Sequence, residues 1–326
     1  MRIGLQPVSI LSSHVAVLGV QTMRGTFAVG GDPANLRETM DRFPLMDFVT
    51  VRQTGPPTDM LTWRAQVTVA VQIMRGRVKR LGFGNEPFIE SAQGDNWTGT
   101  PAEFAQTSEG FVDAVHEADP GMIVVTPGLC SGCIEARSER VEQLLMLPRL
   151  YPAVPMEVDL HLYRGWQTAA SHVAWAQGIS GRPVIVTECG ADTAGGVMQL
   201  LTVLDAAGVT DALYHALTPV ETDSPPFQAM SLLDGGKESP RYWAYKTWGQ
   251  TIVDRCVIVS VAEGLHYYQA GKVHVLWADM SLPVRIPVSS RRAERIDPIG
   301  GVSQLVVRGR EVRLNIGPEP CYVREV

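Results

Sequence analysis

Eight short apolar runs alternate with helical stretches over about the first 250 residues, and this alternation restricts the fold more than any other feature. The runs are Arg2–Gln6, Val20–Gly25, Asp47–Arg52, Leu81–Gly84, Met122–Thr126, Glu157–Leu162, Val184–Thr187 and Ala212–Leu217. Between them lie amphipathic segments at Asn35–Phe43, Asp59–Arg80, Glu103–Ala118, Arg140–Leu150, Ala169–Gly178 and Gly196–Ala207, with shorter ones at Ser12–Leu18 and Arg241–Gly249. A continuous apolar run such as Val184-Ile185-Val186 suits a strand buried on both faces. Strands that alternate with helices pair in parallel through crossovers. Eight such units in about 250 residues predict a (β/α)8 barrel, here over residues 1–253.

The pattern changes near Val253. Residues 254–326 contain no good helical window, only close-spaced β-rich runs such as VIVSVAE, LHYYQ, KVHVLWA, PVRIPVS, SQLVVRG and EVRLNIG. These predict a small antiparallel β-sandwich appended to the barrel. A chain of 326 residues, 45% hydrophobic, can fill one large core and one small one.

The formal net charge of −6 and the scattered 28 basic residues argue against nucleic acid as a partner. No run of 18 apolar residues points to a membrane span. The N-terminal MRIGLQPV reads as a strand and not as a secretory leader, which predicts a cytoplasmic protein, with a trimmed secreted form left open. The five cysteines are odd in number and dispersed, as in a reducing compartment. Cys130 and Cys133 hold half of a zinc-ligand spacing without the other half, or else a local reversible disulfide. Cys189 reads as a packing residue. Oligomeric state leaves no trace in the sequence.

Two carboxylates stand where strands should meet loops. LGFGNEP ends a run at Asn85-Glu86, and RPVIVTECG ends one at Glu188. One such glutamate is commonly a solvated loop residue or a helix cap, but burial of a lone carboxylate is costly and the C-terminal mouth of a parallel barrel is where active sites form. Two in matching contexts, on the fourth and seventh strands, resemble the retaining glycoside hydrolases of clan A. The resemblance covers Arg2 to about Trp248. The small β domain is also similar to those of β-xylosidase-like and exopolysaccharide-hydrolase-like members.

That resemblance implies a glycosidase that needs no metal or organic cofactor and acts on a carbohydrate. Glu86 would be the general acid/base and Glu188 the nucleophile. A sugar oxygen leaves only if protonated while an ionised carboxylate attacks the anomeric carbon. By the same resemblance Asn85 would bind the sugar 2-hydroxyl, and Arg24, in TMRG, would keep the nucleophile ionised. His161 and Tyr163 share one face of the sixth strand and would orient the nucleophile or touch sugar, although a core role fits His161 equally well. Asp159 shares that face and reads as an inner-layer residue. Trp97, Trp166, Phe88 and Phe227 fall in β→α loops, where rings can stack on sugars. The eighth run, ALYHALTP, departs from the family by offering Tyr214 and His215 where a Trp is common.

Two other functions compete. A catalytically silent sugar-binding barrel would keep the architecture without turnover. A lyase or isomerase would need a metal-ligand cluster that the sequence does not display.

Overall fold

A computed structural model describes residues 1–6, 12–87, 97–163, 165–220, 224–262 and 264–326. Phe88 lies outside the described residues. The order is β1 (Arg2–Leu5), α1 (Ser12–Val17), β2 (Thr22–Ala28), α2 (Pro33–Arg42), β3 (Met46–Arg52), α3 (Met60–Met74), β4 (Arg80–Phe83) and α4 (Pro101–Ala118). There follow β5 (Ile123–Val125), α5 (Glu139–Leu150), β6 (Met156–Tyr163), α6 (Trp166–Ser180), β7 (Val184–Gly190), α7 (Ala194–Ala206), β8 (Asp211–Tyr214) and α8 (Pro240–Thr251).

Among the described residues the eight strands run parallel in the order β5-β4-β3-β2-β1-β8-β7-β6, and β5 pairs with β6 to close the barrel. Local chemistry sets the helix starts. Thr100 and Glu103 form a reciprocal capping box ahead of α4, with Pro101 in the first turn. Asp32 caps α2 ahead of Pro33 by accepting from Ala34 N at 2.8 Å. The helical segment expected over Asp59–Arg80 stops at Met74, because Gly76 takes φ 78° and turns the chain out of the helix. Arg80 opens β4 instead.

Most of the core lies between the strands and their helices, with Val49, Val51, Leu81, Phe83, Val158, Val184 and Val186 buried against helical side chains such as Trp63, Val67, Phe111 and Val115. Phe48, Val125 and Ile185 fill the barrel interior. No helix of the described residues is long and apolar enough to cross a membrane.

The C-terminal strands are β9 (Val257–Ala262), β10 (Leu265–Ala270), β11 (Val273–Ala278), β12 (Leu282–Pro287), β13 (Ala293–Ile296), β14 (Val302–Leu305), β15 (Val307–Arg308), β16 (Glu311–Ile316) and β17 (Cys321–Glu325). They form two antiparallel sheets, ordered β9-β10-β11-β17-β13-β14 and β12-β16-β15. Between the sheets sit Leu276, Ile286, Val312, Cys321 and Val323. The main core runs on from the barrel into Cys256, Tyr268, Val275, Trp277 and Tyr322. Trp277 stacks between His266 and Tyr268 at centroid distances of 5.0 and 5.2 Å. Asp205 of α7 accepts from Cys256 N at 2.6 Å, and Gln199 donates to Pro318 O at 3.1 Å.

Candidate active site

The site begins with the turn after β4. Gly84 has φ 72°, a conformation cheap for glycine, and it swings the chain off the strand after Phe83. Asn85 then bridges to Gly128, and Glu86 donates its N–H to Gly128 O at 3.1 Å. Glu86 itself sits at φ 48°, an uncommon backbone for a side chain with a Cβ, and strain of this kind concentrates at functional sites. Gly128 serves a second purpose. A Cβ there would lie 2.2 Å from His161 Nε2, so only glycine lets the imidazole pack against this backbone.

His161 projects from β6 between the two carboxylates. Its Nδ1 is 2.7 Å from Glu86 Oε1 and 3.5 Å from Glu188 Oε2. Its Nε2 faces Thr187 Oγ1 at 3.1 Å and Asp159 Oδ2 at 3.5 Å. Asp159 is fixed in turn, since Thr187 donates to it from Oγ1 at 2.6 Å and from its backbone N at 3.0 Å. Burial alone would make the imidazole less basic, but Glu188, Asp159 and Glu86 outweigh it and raise the pKa to about 10. His161 is therefore an imidazolium at neutral pH, hydrogen-bonded towards the carboxylates.

Glu188 occupies the fifth position of β7. Arg24 Nη1 donates to its Oε1 at 2.8 Å and the Tyr163 hydroxyl donates to its Oε2 at 2.7 Å. Burial opposes ionisation of Glu188, but His161, Arg24, His215 and the Tyr163 hydroxyl prevail and hold its pKa at about 2. Burial and then the Glu188 charge drive the Tyr163 phenol well above its usual range, so it stays a donor.

The run Val20–Gly25 predicts Arg24 near the end of its strand, but it is the third residue of β2, because the strand continues to Ala28. Its guanidinium is 2% exposed and fully engaged. Nε donates to Thr50 Oγ1 at 2.7 Å, Nη2 donates to Asn85 Oδ1 at 2.7 Å, and the cation lies 5.5 Å from the Phe48 ring centroid. A guanidinium only donates, so it fixes the Asn85 amide with its oxygen towards Arg24, leaving the NH₂ group for another acceptor.

His215 follows β8, with Nδ1 3.2 Å from Gln6 Nε2 and its ring edge-on to Tyr163 at 6.1 Å. Phe227 also meets Tyr163 edge-on, at 4.8 Å. The structure thus brings together Arg24, Asn85, Glu86, His161, Tyr163, Glu188, His215 and Phe227.

Three expected sugar contacts have other partners. Tyr214 is fully buried, and its hydroxyl donates to Ala191 O or Met230 O and accepts from Ala191 N. It ties β8 to the loop after β7 and presents nothing to a ligand. Trp166 begins α6 but turns its ring towards the β domain, edge-on to His266 at 4.8 Å and to Trp277 at 5.2 Å. Trp97 bonds Thr100 O through Nε1 at 3.1 Å and packs edge-on against Phe104 at 5.0 Å, bracing the entry to α4. Strand-end position marks the correct end of the barrel for these rings but does not determine which way they face. Cys189 is buried, with Sγ 3.4 Å from Leu213 O, and burial raises its pKa, which suits packing. The supporting roles of Thr50, Gly128 and Thr187 escaped sequence reading. The Thr at the end of VIVT, one residue before Glu188, was the available signal for Thr187.

One oxygen each of Glu86 and Glu188 and a nitrogen of His161 lie within 4.8 Å of one another. A metal ion on these groups would require His161 to give up its Nδ1 proton and would sit beside the Arg24 guanidinium. The donor set suits a shared proton better than a divalent cation.

This is a closed (β/α)8 barrel with a carboxylate pair at its C-terminal mouth and an antiparallel β domain beside it. No protein-family model matches the sequence, and no curated protein matches it. Solved structures share the fold. A family 39 glycoside hydrolase from Bacteroides cellulosilyticus WH2 superposes with a TM-score of 0.74 at 13% identity, covering 96% of this chain and 77% of its own. A glucosidase from Croceicoccus marinus gives 0.64 at 12% identity, covering 96% of this chain and 91% of its own. An endo-β-1,3-glucanase of family 128 from Amycolatopsis mediterranei, solved with laminaripentaose, gives 0.52 at 14% identity over 75% of this chain and 98% of its own. The chain shares the barrel fold of these enzymes.

Proposed function

We propose that the protein is a retaining glycoside hydrolase that cleaves an O-glycosidic bond of an oligo- or polysaccharide. The observation that carries this reading is the closeness of Glu86 and Glu188, with an oxygen of each within 4.8 Å. Retaining enzymes hold their carboxyl groups about 5–5.5 Å apart, whereas inverting ones leave about 6.5–9.5 Å for a water.

The surroundings divide the roles. Glu188 is held ionised by Arg24, His161 and the Tyr163 hydroxyl, as a nucleophile requires. Glu86 faces one strong donor, His161 Nδ1 at 2.7 Å. An imidazolium against a carboxylate and an imidazole against a carboxylic acid are the same pair with its single proton moved. That proton is the one the leaving oxygen takes as Glu188 attacks the anomeric carbon. Glu86, now a base, then draws a proton from the water that releases the sugar from Glu188. The free NH₂ of Asn85 faces the sugar 2-hydroxyl in this scheme.

The test follows an unactivated oligosaccharide by NMR as it is cleaved, over a broad panel of glycans. Product of retained anomeric configuration is expected, and inverted product overturns the double displacement. Glu86→Ala should lose about 10²–10⁴-fold on such substrates and much less on aryl glycosides whose leaving group needs no proton. Equal losses on both would remove Glu86 from the acid role. Silence of the folded wild type across the panel favours the sugar-binding barrel.

A further inference from the structure

The CSGC motif remains outside the mechanism above, and the fold places it against the site. After β5 the chain forms a two-residue strand, Leu129–Cys130, and a short helix, Ser131–Ala136. Cys130 pairs in register with His161 of β6, and Ser131 Oγ donates to His161 O at 3.1 Å. The two sulfurs lie 2.8 Å apart, with the Cys130 thiol donating to Cys133 Sγ, and Cys133 N is 3.2 Å from Cys130 Sγ. Both side chains are half-buried and therefore reachable by a small reagent. The other three cysteines, Cys189, Cys256 and Cys321, are buried.

We propose that Cys130 and Cys133 form a reversible dithiol–disulfide site, oxidised by exchange with a small disulfide such as glutathione disulfide, whose state is transmitted to His161. A disulfide needs the sulfurs at about 2.05 Å, so closure moves them by less than 1 Å from their present separation. The hydrogen bond from Cys130 lowers the pKa of Cys133, which marks Cys133 as the attacking sulfur, while donation of that bond and burial raise that of Cys130. Cys133 thiolate attacks glutathione disulfide, forming a mixed disulfide and releasing one glutathione thiolate. Cys130 then loses its proton and attacks the Cys133 sulfur, expelling the second glutathione. Two protein thiols are oxidised as one disulfide is reduced to two thiols, so electrons and protons balance. The structural link to His161 is the Cys130 pairing and the Ser131 bond, which join the CSGC segment to the backbone of β6.

Folded full-length protein is incubated with glutathione disulfide or with reduced glutathione, alkylated with N-ethylmaleimide and mapped by peptide mass. The reduced sample should carry two adducts on the peptide containing Cys130 and Cys133. The oxidised one should carry none and be two hydrogens lighter than the unalkylated dithiol peptide, and dithiothreitol should reverse this. Cys130→Ser should accumulate glutathione on Cys133, and faster than Cys133→Ser accumulates it on Cys130. Two alkylated thiols after oxidation, or stable glutathione on both cysteines of the wild type, would overturn the site. Imidazole NMR reads the transmission. The His161 resonance, assigned by its loss in His161→Gln, should shift between the two forms, and an unmoved resonance overturns the link. Neither measurement uses turnover, so both stand apart from the glycosidase reading.

Discussion

At the N-terminal rim of the barrel, Arg2 and Arg80 meet Asp47, Glu157 and Asp211. At the opposite rim, Arg24 and His161 meet Glu86, Asp159 and Glu188. Both ends set cations against three carboxylates, so the presence of paired charge cannot explain why only one resembles an active site. In the lower network Arg80 grips Glu157 through two nitrogens, at 2.6 and 3.1 Å, and reaches Asp211 at 2.8 Å, while Arg2 binds Asp47 and Asp211. Both cations there are guanidinium groups, which do not deprotonate in proteins, so the network can only hold its shape. At the upper rim one cation is an imidazolium. It can release its proton, and Glu86 and Glu188 beside it are partly exposed. Substituting a histidine for an arginine turns a brace into a reagent.

The largest expected effect separates the rims outright. Glu188→Gln should reduce turnover on the order of 10⁴-fold or more, because no covalent intermediate forms, while leaving a folded barrel held by the lower network. Loss of folding together with activity would erase the distinction between the two ends. Arg80→Met should do the reverse, costing about 3–5 kcal/mol of stability in urea unfolding by leaving Glu157 buried without its cation and Asp211 with Arg2 alone. The folded fraction at low temperature should still turn over. A cost below about 1 kcal/mol would show that the lower rim does not brace the barrel.

A smaller effect should be visible in stability against pH. The folded-state pKa of Glu188 is depressed, so its stabilising share is present above about 4.3, the range of an unfolded glutamate, and is lost as pH falls through about 2. His161 is raised, so its share is present below about 6.5 and is lost as pH climbs through about 10. Unfolding midpoints measured from pH 5 to pH 2 should fall more steeply for wild type than for Glu188→Gln. Parallel curves would mean that Glu188 contributes no such acid limb.

The sequence revealed the strands better than it revealed their neighbours. Runs such as Val184–Val186 are visible because burial on both faces leaves no polar residue, and Glu86 and Glu188 stand out because they follow such runs. Orientation at a strand end has no comparable signature. Tyr214 and Trp166 sit where the pattern places functional rings, yet one is occupied by the carbonyls of Ala191 and Met230 and the other by Trp277. Trp277 lies 111 residues further along the chain, too far for any periodicity to reveal. Two β-domain strands, Ala293–Ile296 and Cys321–Glu325, were also missed. The second is central to its sheet, and its Arg and Glu disguise a segment whose Cys, Tyr and Val are buried. Gly128 could be recognised only once its backbone was seen to lie against the His161 ring.

An accessory module tethered by a linker can be exchanged between proteins like a part. This β domain cannot be exchanged in that way, because Trp166 opens the helix directly after the strand that bears His161 and Tyr163, and its ring is seated against the stacked His266–Trp277–Tyr268 column. Whoever grafts a foreign β domain onto this barrel, or evolves one there, inherits an unpaired indole at the start of the helix that follows β6. A chimera should respect that seam, with residues 166, 266, 268 and 277 transferred or redesigned as a single unit.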